Sequence, residues 1–109
     1  MPQFVTIGYG DRAGYDRTPS EVRTAAHTHD EELAEQGAVM GIAGEPVQVR
    51  NPENSGVTVT RTSYMSSTLP VAGFMIIEAE DIEAAVAAVS RTPCAVAHGV
   101  VEVWPLKET

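Results

Sequence analysis

Apolar and polar positions along the chain predict strands and helices in alternation. Residues 71–77 (VAGFMII) form a dense apolar run, which is typical of a buried strand. Ile82, Ala85, Val86 and Val89 follow at the spacing i, i+3, i+4 and i+7, which predicts a helix with one buried face. A buried strand that leads directly into an amphipathic helix is half of a βαβ unit.

The N-terminal third predicts a strand followed by a longer helix. Residues 3–9 alternate between two kinds of side chain and predict a strand with two different faces. Thr18, followed by Pro19, predicts the N-cap of the helix, and Gly37 predicts its end. The apolar stripe of this helix is thin, which is typical of a helix that lies on a sheet or lines a pocket. The stripe consists of Val22, Ala25, Ala26, His29 and Leu33.

The middle of the chain predicts a hairpin. Residues 38–43 are expected to form a strand that continues, past a break, into residues 47–50. Residues 51–56 (NPENSG) have turn composition, and residues 57–63 alternate with many β-branched side chains. Residues 100–104 predict a last strand.

Allowing for one hairpin strand that is split at residues 44–46, the resulting order is β-α-β-β-α-β, which predicts an α+β fold of the ferredoxin-like type. Its antiparallel sheet has both helices on one face. The other face is expected to be apolar and to be covered by a second copy, giving a homodimer with face-to-face sheets, a dimeric α+β barrel. The residues expected to meet the second copy are Val5, Ile7, Val39, Ile42 and Met75.

Composition narrows the class of protein. With 109 residues, the chain (1–109) is expected to be a single domain. A net charge of −8 repels phosphate backbones, so no nucleic acid partner is expected. No apolar run is long enough to cross a bilayer, and residues 1–10 lack the basic start of a signal peptide. A single cysteine, Cys94, fits a reducing compartment, so we predict a cytoplasmic protein with no membrane partner.

The first helix carries the residues that are chemically most reactive. His27 and His29 belong to the side-chain type that most often carries protons in proteins, and Asp30 or Glu31 is close enough to His27 on a helix to orient or charge its imidazole. The alternative for His27 is a solvated face of ion pairs. His29 shares the apolar stripe, so it is either a hydrogen-bonded core residue or a cleft residue. The predicted catalytic residues are therefore His29, His27 and Asp30.

A substrate site is predicted where strand ends meet the first helix. Tyr9 ends the first strand, Arg61 and Tyr64 end the third, and with His29 they are expected to line one cleft. Arginine holds carboxylates and phenols donate to oxyanions, so an anionic or phenolic small molecule fits such a set. His98 is a further candidate at the rim. The alternatives are packing at a sheet end for the tyrosines, an exposed ion pair for Arg61 and a turn for His98.

Several short segments occur in a familiar order. They are Tyr9-Gly10, residues 31–37, Gly44, Ala72-Gly73-Phe74 and residues 98–105. In order and spacing, over essentially the whole domain, they resemble the YCII-related family in its DGPF-type branch. The resemblance implies this fold with a small-molecule cleft, and a first-helix histidine that works with an aspartate, for which His27 is one residue from the expected position. The Asp-Gly-Pro-Phe motif itself is replaced by residues 61–64 (RTSY), so no carboxylate is implied there.

The leading functional hypothesis is a homodimer that binds a small oxygenated organic molecule between the first helix and the sheet. Cofactor-free proton transfer (isomerisation, elimination or cyclisation) is the chemistry that the histidines favour. One alternative is a non-catalytic binding or interaction module, and another is a cofactor-free monooxygenase of similar fold. His27 and His29 are two residues apart on a helix and cannot share a metal ion, and no zinc or nucleotide motif is present, so no metal or cofactor is predicted.

Overall fold

The computed structural model describes residues 1–107 as strands and helices of an α+β protein. The strands are β1 (Gln3–Tyr9), β2 (Val39–Ile42), β3 (Gln48–Arg50), β4 (Thr58–Thr60), β5 (Val71–Glu78) and β6 (Val100–Pro105). The helices are α1 (Arg12–Asp16), α2 (Ser20–Glu35), α3 (Ile82–Val89) and α4 (Pro93–Val96), with a 3-10 turn at Pro52–Asn54.

Four strands form an antiparallel sheet in the order β2-β5-β1-β6. Strand order and directions are compatible with the predicted ferredoxin-like plan. The predicted hairpin is confirmed, because β3 pairs with β4 and Val49 lies opposite Val59. It forms a separate two-stranded sheet, however, so β2 does not continue into it and pairs directly with β5.

One face of the main sheet carries the core. Side chains alternate along β1, so Phe4 and Thr6 are buried under the helices. Both α2 and α3 pack on this face, and their apolar side chains share one cluster with the strands. The buried members of that cluster are Phe4, Leu33, Met75, Ile77, Ala79, Ala85 and Val89.

The opposite face, which we call the open face, is apolar and bears no helix among residues 1–107. Two of the residues expected there lie elsewhere, because Met75 pairs with Thr6 and Ile42 pairs with Gly73 on the helix-covered side. Register fixes the faces, since residues directly opposite each other point the same way. The large apolar side chains of the open face are Val5, Ile7, Val39, Phe74, Ile76, Val100 and Trp104.

The two ends of α2 bear out one prediction and correct another. Gly37 adopts a φ of 104°, and the amides of Gly37 and Ala38 bond to the carbonyls of Ala34 and Leu33, so the predicted glycine stop is confirmed. Thr18 is not the N-cap. Its hydroxyl donates to the Gly14 carbonyl at 2.8 Å, and α2 begins after Pro19 without a side-chain cap.

Residues 44–64 form a hairpin arm that extends from the main body. The radius of gyration is 15.8 Å, against roughly 13 Å for a compact chain of this length, and the dimensions are 52 × 36 × 20 Å. Within residues 1–107, no helix is both long and apolar enough to cross a membrane.

Candidate functional site

An open cleft of about 710 Å³ lies at one end of the helix-covered face. Its floor is formed where Gly8 of β1 lies opposite Gly73 of β5, so two neighbouring strands lack side chains there. A Cβ on Gly8 would lie 2.8 Å from Cys94 Sγ, which is too close to be accommodated without a shift. The cleft therefore depends on glycine at this position.

Most of the cleft wall is apolar, and its polar groups are concentrated on α1 and α2. Met40, Ile42 and Met75 contribute from the sheet, whereas His27 and Asp30 contribute from α2. An apolar cleft with a few convergent polar groups is the usual form of a small-molecule site.

Tyr15 enters the cleft because α1 is held firmly. The Asp11 carboxylate caps α1 by accepting from the Gly14 amide at 2.9 Å. A Cβ on Gly14 would lie 2.6 Å from the Ala97 carbonyl, so α1 packs closely against the end of α4. No helix was predicted for residues 10–17, and Tyr15 was not among the predicted site residues.

Tyr15 and His27 form a hydrogen-bonded pair at the cleft. The Tyr15 hydroxyl lies 2.9 Å from His27 Nε2, and the two rings meet edge to face with centroids 6.0 Å apart. The Arg23 guanidinium lies 4.9 Å from the centre of the Tyr15 ring, a cation–π contact that fixes the ring from α2. These contacts orient the imidazole. The sequence predicted that Asp30 would have this role, and in the structure Tyr15 has it instead.

Asp30 is a half-buried carboxylate beside this pair. Its Oδ1 atom is shielded from solvent and has no hydrogen-bond partner among residues 1–107. Burial raises the pKa of Asp30 above its ordinary value, and the nearby His27 and His29 only partly oppose this shift. A carboxyl group with a raised pKa in a cleft is a stronger base than an ordinary carboxylate and is suited to take up and return a proton.

Cys94 also lines the cleft, above Gly8. Burial raises the pKa of its thiol, and the negative charge of Asp30 raises it further. Because the thiolate is the reactive form, this environment disfavours Cys94 as a nucleophile.

His29 lies between α2 and α3 and does not line the cleft. It is buried, and its Nε2 donates to the Ala88 carbonyl at 2.6 Å, while Nδ1 has no partner among the described residues. Of the two alternatives for His29, the hydrogen-bonded core residue is the one observed. Its carbonyl partner belongs to the last turn of α3, where backbone acceptors lack intrahelical donors.

The predicted cleft of Tyr9, His29, Arg61 and Tyr64 does not form. Tyr9 points to the open face, where its hydroxyl donates to Glu102 at 3.0 Å and lies 3.3 Å from Met65 Sδ. Burial, together with the bond and charge of Glu102, raises the pKa of Tyr9.

The other three substrate-binding candidates also lie outside the cleft. Arg61 and Tyr64 are exposed at the end of the hairpin arm, and Tyr64 lies 5.8 Å beneath the Arg50 guanidinium. His98 is exposed after α4 with a φ of 63°, consistent with its alternative as a turn residue. Of the seven predicted site residues, only His27 and Asp30 come together at the cleft.

Comparison with known proteins adds no assignment. No family model matches the chain, and no curated protein is significantly similar to it. Residues 1–107 contain no group of three His, Cys, Asp or Glu side chains close enough to bind one metal ion. The geometry of the cleft therefore carries the functional argument.

Proposed function

We propose that this protein binds a small oxygenated organic molecule in the cleft and transfers protons on it without a cofactor. The observation that carries this proposal is Asp30, whose Oδ1 atom is buried and unpartnered at the cleft. Leaving a buried carboxylate oxygen without a donor costs free energy. Asp30 lines the cleft, so its second carboxylate oxygen is the one that meets a bound substrate, either through the substrate's own hydroxyl or through an acidic C–H group.

The proposed step uses Asp30 as base and the Tyr15–His27 pair as hydrogen-bond donor. The Asp30 carboxylate takes a proton from a carbon next to a carbonyl group, and the electron pair of that C–H bond moves onto the carbonyl oxygen. The pair donates a hydrogen bond to this oxygen, which stabilises the enolate. Return of the proton from Asp30 to a different carbon completes an isomerisation, and loss of a leaving group instead completes an elimination.

The fold supports a second part of the proposal. We infer that the chain is a ferredoxin-like, YCII-related domain of the cytoplasm, paired in a homodimer through its open face. Seven large apolar side chains on that face, Phe74 and Trp104 among them, favour a covered surface over one in water. The order of strands and helices is consistent with the same proposal.

Deuterium exchange tests the proton transfer directly. The protein is incubated in D₂O with a panel of small 2-oxo acids, β-keto acids and phenols, and deuterium uptake at carbon is followed by NMR. We expect uptake into at least one compound, and a fall of about 100-fold or more in the Asp30→Asn variant, the usual contribution of a positioned base. Asp16→Asn on exposed α1 is the matched control and should retain the full rate.

A binding module would give a different result. Compounds would then shift the NMR signals of His27 and Asp30 without any uptake of deuterium. That outcome would replace the proposed reaction with ligand binding alone.

A further inference from the structure

The hairpin arm has one polar face and one apolar face, and the apolar face is bare. Four valines share it by strand parity: Val47, Val49, Val57 and Val59, which are 49–65% exposed. Gln48 and Arg50 occupy the opposite face, where Arg50 bonds to Gln48 and lies over Tyr64. The polar face therefore carries a hydrogen bond and a cation–π contact, and the valine face is apolar and exposed.

An isolated two-stranded hairpin is marginally stable in water. A hairpin that exposes four valines on one side gains little from its own strand pairing. Its two consecutive residues of positive φ, Glu53 (54°) and Asn54 (59°), add local cost at the tip. A stable arm therefore needs a surface against which its valines pack.

The arm joins the main body on the side of the open face. The segment that follows it bonds to the end of β1, since the Gly10 amide donates to the Pro70 carbonyl at 3.1 Å. Met65 in the same segment touches the Tyr9 hydroxyl, which lies on the open face. Both uncovered apolar surfaces of the chain thus lie close to the same side of the main sheet.

Area and charge favour a second copy as the occupant. The four valines and the exposed open-face side chains present on the order of 1,000 Å² of apolar residues per chain, and a stable interface buries about 800 Å² per partner. Two copies of net charge −8 repel each other. The arm itself adds no net charge to this repulsion because it carries equal numbers of acidic and basic side chains, which are Glu45, Glu53, Arg50 and Arg61.

The reach of the arm is also sufficient. Eight residues from Gly44 to Asn51 extend for about 25 Å as a strand. Four strands about 4.8 Å apart span only about 15 Å. One arm can therefore lie across much of the open face of a neighbouring molecule.

We propose that the two arms are exchanged in the homodimer, the valine face of each arm packing on the open face of the other subunit. The exchange is reciprocal, as two-fold symmetry requires. This inference rests on the homodimer of the proposed function, and it places the arm of each subunit, residues 44–64, on the open face of the other subunit in place of direct contact between the two sheets.

Sedimentation equilibrium of a matched pair of variants tests the exchange. Val59→Asp and Thr58→Asp add the same charge to adjacent positions on opposite faces of β4. We expect a wild-type dimer, a dimer Kd raised by about 30-fold or more in Val59→Asp, as for a central interface residue, and a change below about 3-fold in Thr58→Asp. Trp104, the single tryptophan, should be shielded from acrylamide in the wild type and quenched readily in Val59→Asp.

Each of the other possible results would overturn the arm exchange, alone or together with the dimer. Equal dimer Kd values for the two variants would overturn the arm exchange and leave the face-to-face dimer standing. A wild-type monomer at 100 µM (a concentration about 100 times a micromolar Kd) would overturn both. A dimer whose Trp104 is quenched as readily as in Val59→Asp would show that the arm packs elsewhere.

A measurement on the wild-type chain covers the case in which Val59→Asp fails to fold. Hydrogen exchange of the amides of residues 48–60 is followed from high to low protein concentration. We expect their protection to fall as the dimer dissociates, while the amides of β1 and β5 stay protected. Arm protection that is independent of concentration would overturn the proposal.

Discussion

The two ends of the helix-covered face differ although the same two strands form both. At the core end, β1 and β5 contribute Phe4 and Ile77, which are buried beneath α2 and α3. At the cleft end the same strands contribute Gly8 and Gly73. The strands stay paired on both sides of a register shift between Gly8 and Tyr9, and the cleft lies where both strands lack side chains.

The histidines of helix α2 are divided between the same two ends of the helix-covered face. His29 enters the core end and bonds to the Ala88 carbonyl, whereas His27 lies at the cleft with Tyr15. Two residues rotate by about 200° around a helix, and three residues by about 300°. His27 and Asp30 therefore share the cleft side, and His29 faces away from them. One helix thus supplies a structural histidine and a candidate functional one.

Shortening isoleucine at each end should produce the largest contrast. We expect Ile77→Ala to lower the free energy of unfolding by about 2–5 kcal/mol, because it removes buried methyl groups and leaves a cavity. Ile42, on the cleft wall, is 95% exposed, so Ile42→Ala should change the free energy of unfolding by no more than about 0.5 kcal/mol. Urea unfolding measures both values, and similar losses would contradict the division into two ends.

Filling the floor of the cleft should have the next largest effect. Gly8→Ala places a methyl group against Cys94 Sγ, so we expect a loss of about 1–3 kcal/mol on urea unfolding, as for an overpacked site. The control is Gly41→Ala, where a Cβ has nothing within 4 Å. Adding Cys94→Ala to Gly8→Ala should recover part of the loss, and no recovery would mean that the thiol is not the obstacle.

Exchanging the two histidines for leucine should separate their roles. His29→Leu leaves the Ala88 carbonyl without its donor. We expect the free energy of unfolding to fall by about 1–2 kcal/mol, because Ala88 is half-buried and water replaces part of the bond. His27→Leu removes only an exposed hydrogen bond and should change stability by about 0.5 kcal/mol or less. Thermal unfolding would contradict the assignment if His27→Leu were the more damaging change.

The smallest effect expected is a pH dependence from Asp30. Burial raises its pKa above the ordinary 3.8, so folding favours the protonated form, and this contribution is lost as pH rises through the raised pKa. We therefore expect Asp30→Asn to gain stability relative to wild type as the pH rises from about 4, close to the ordinary carboxyl pKa, to about 7. Melting temperatures at the two pH values measure the gain. Asp16→Asn controls for the loss of one charge, and an equal gain there would refute the prediction.

Periodicity predicted the elements of this fold well, because burial imposes its spacing directly on the sequence. The glycine stop at Gly37 and the hairpin around residues 51–56 are confirmed. Which strand a hairpin pairs with is a long-range property, so the separation of β3 and β4 from the main sheet was not predicted. The N-cap prediction failed because Thr18 bonds backwards to Gly14, a contact that depends on α1.

The candidate site was harder to predict, since it depends on how distant segments pack. His27 and Asp30 were found because helical spacing places them together. Tyr9 was assigned to the cleft by its place at a strand end, although its parity with Val5 and Ile7 indicates the open face. Tyr15 was missed, and the available signal was Asp11 followed three residues later by Gly14, a capping pattern for a short helix.

The edge strands of the main sheet, β2 and β6, affect how the protein behaves at high concentration. Strand β2 has only four residues and is followed by Gly44 and Pro46, while β6 ends at Pro105. Proline offers no amide for a further ladder bond, and short edges give an incoming chain little to extend. Growth into fibrils by lateral strand addition is therefore disfavoured along β2, and along β6 it is limited at the Pro105 end.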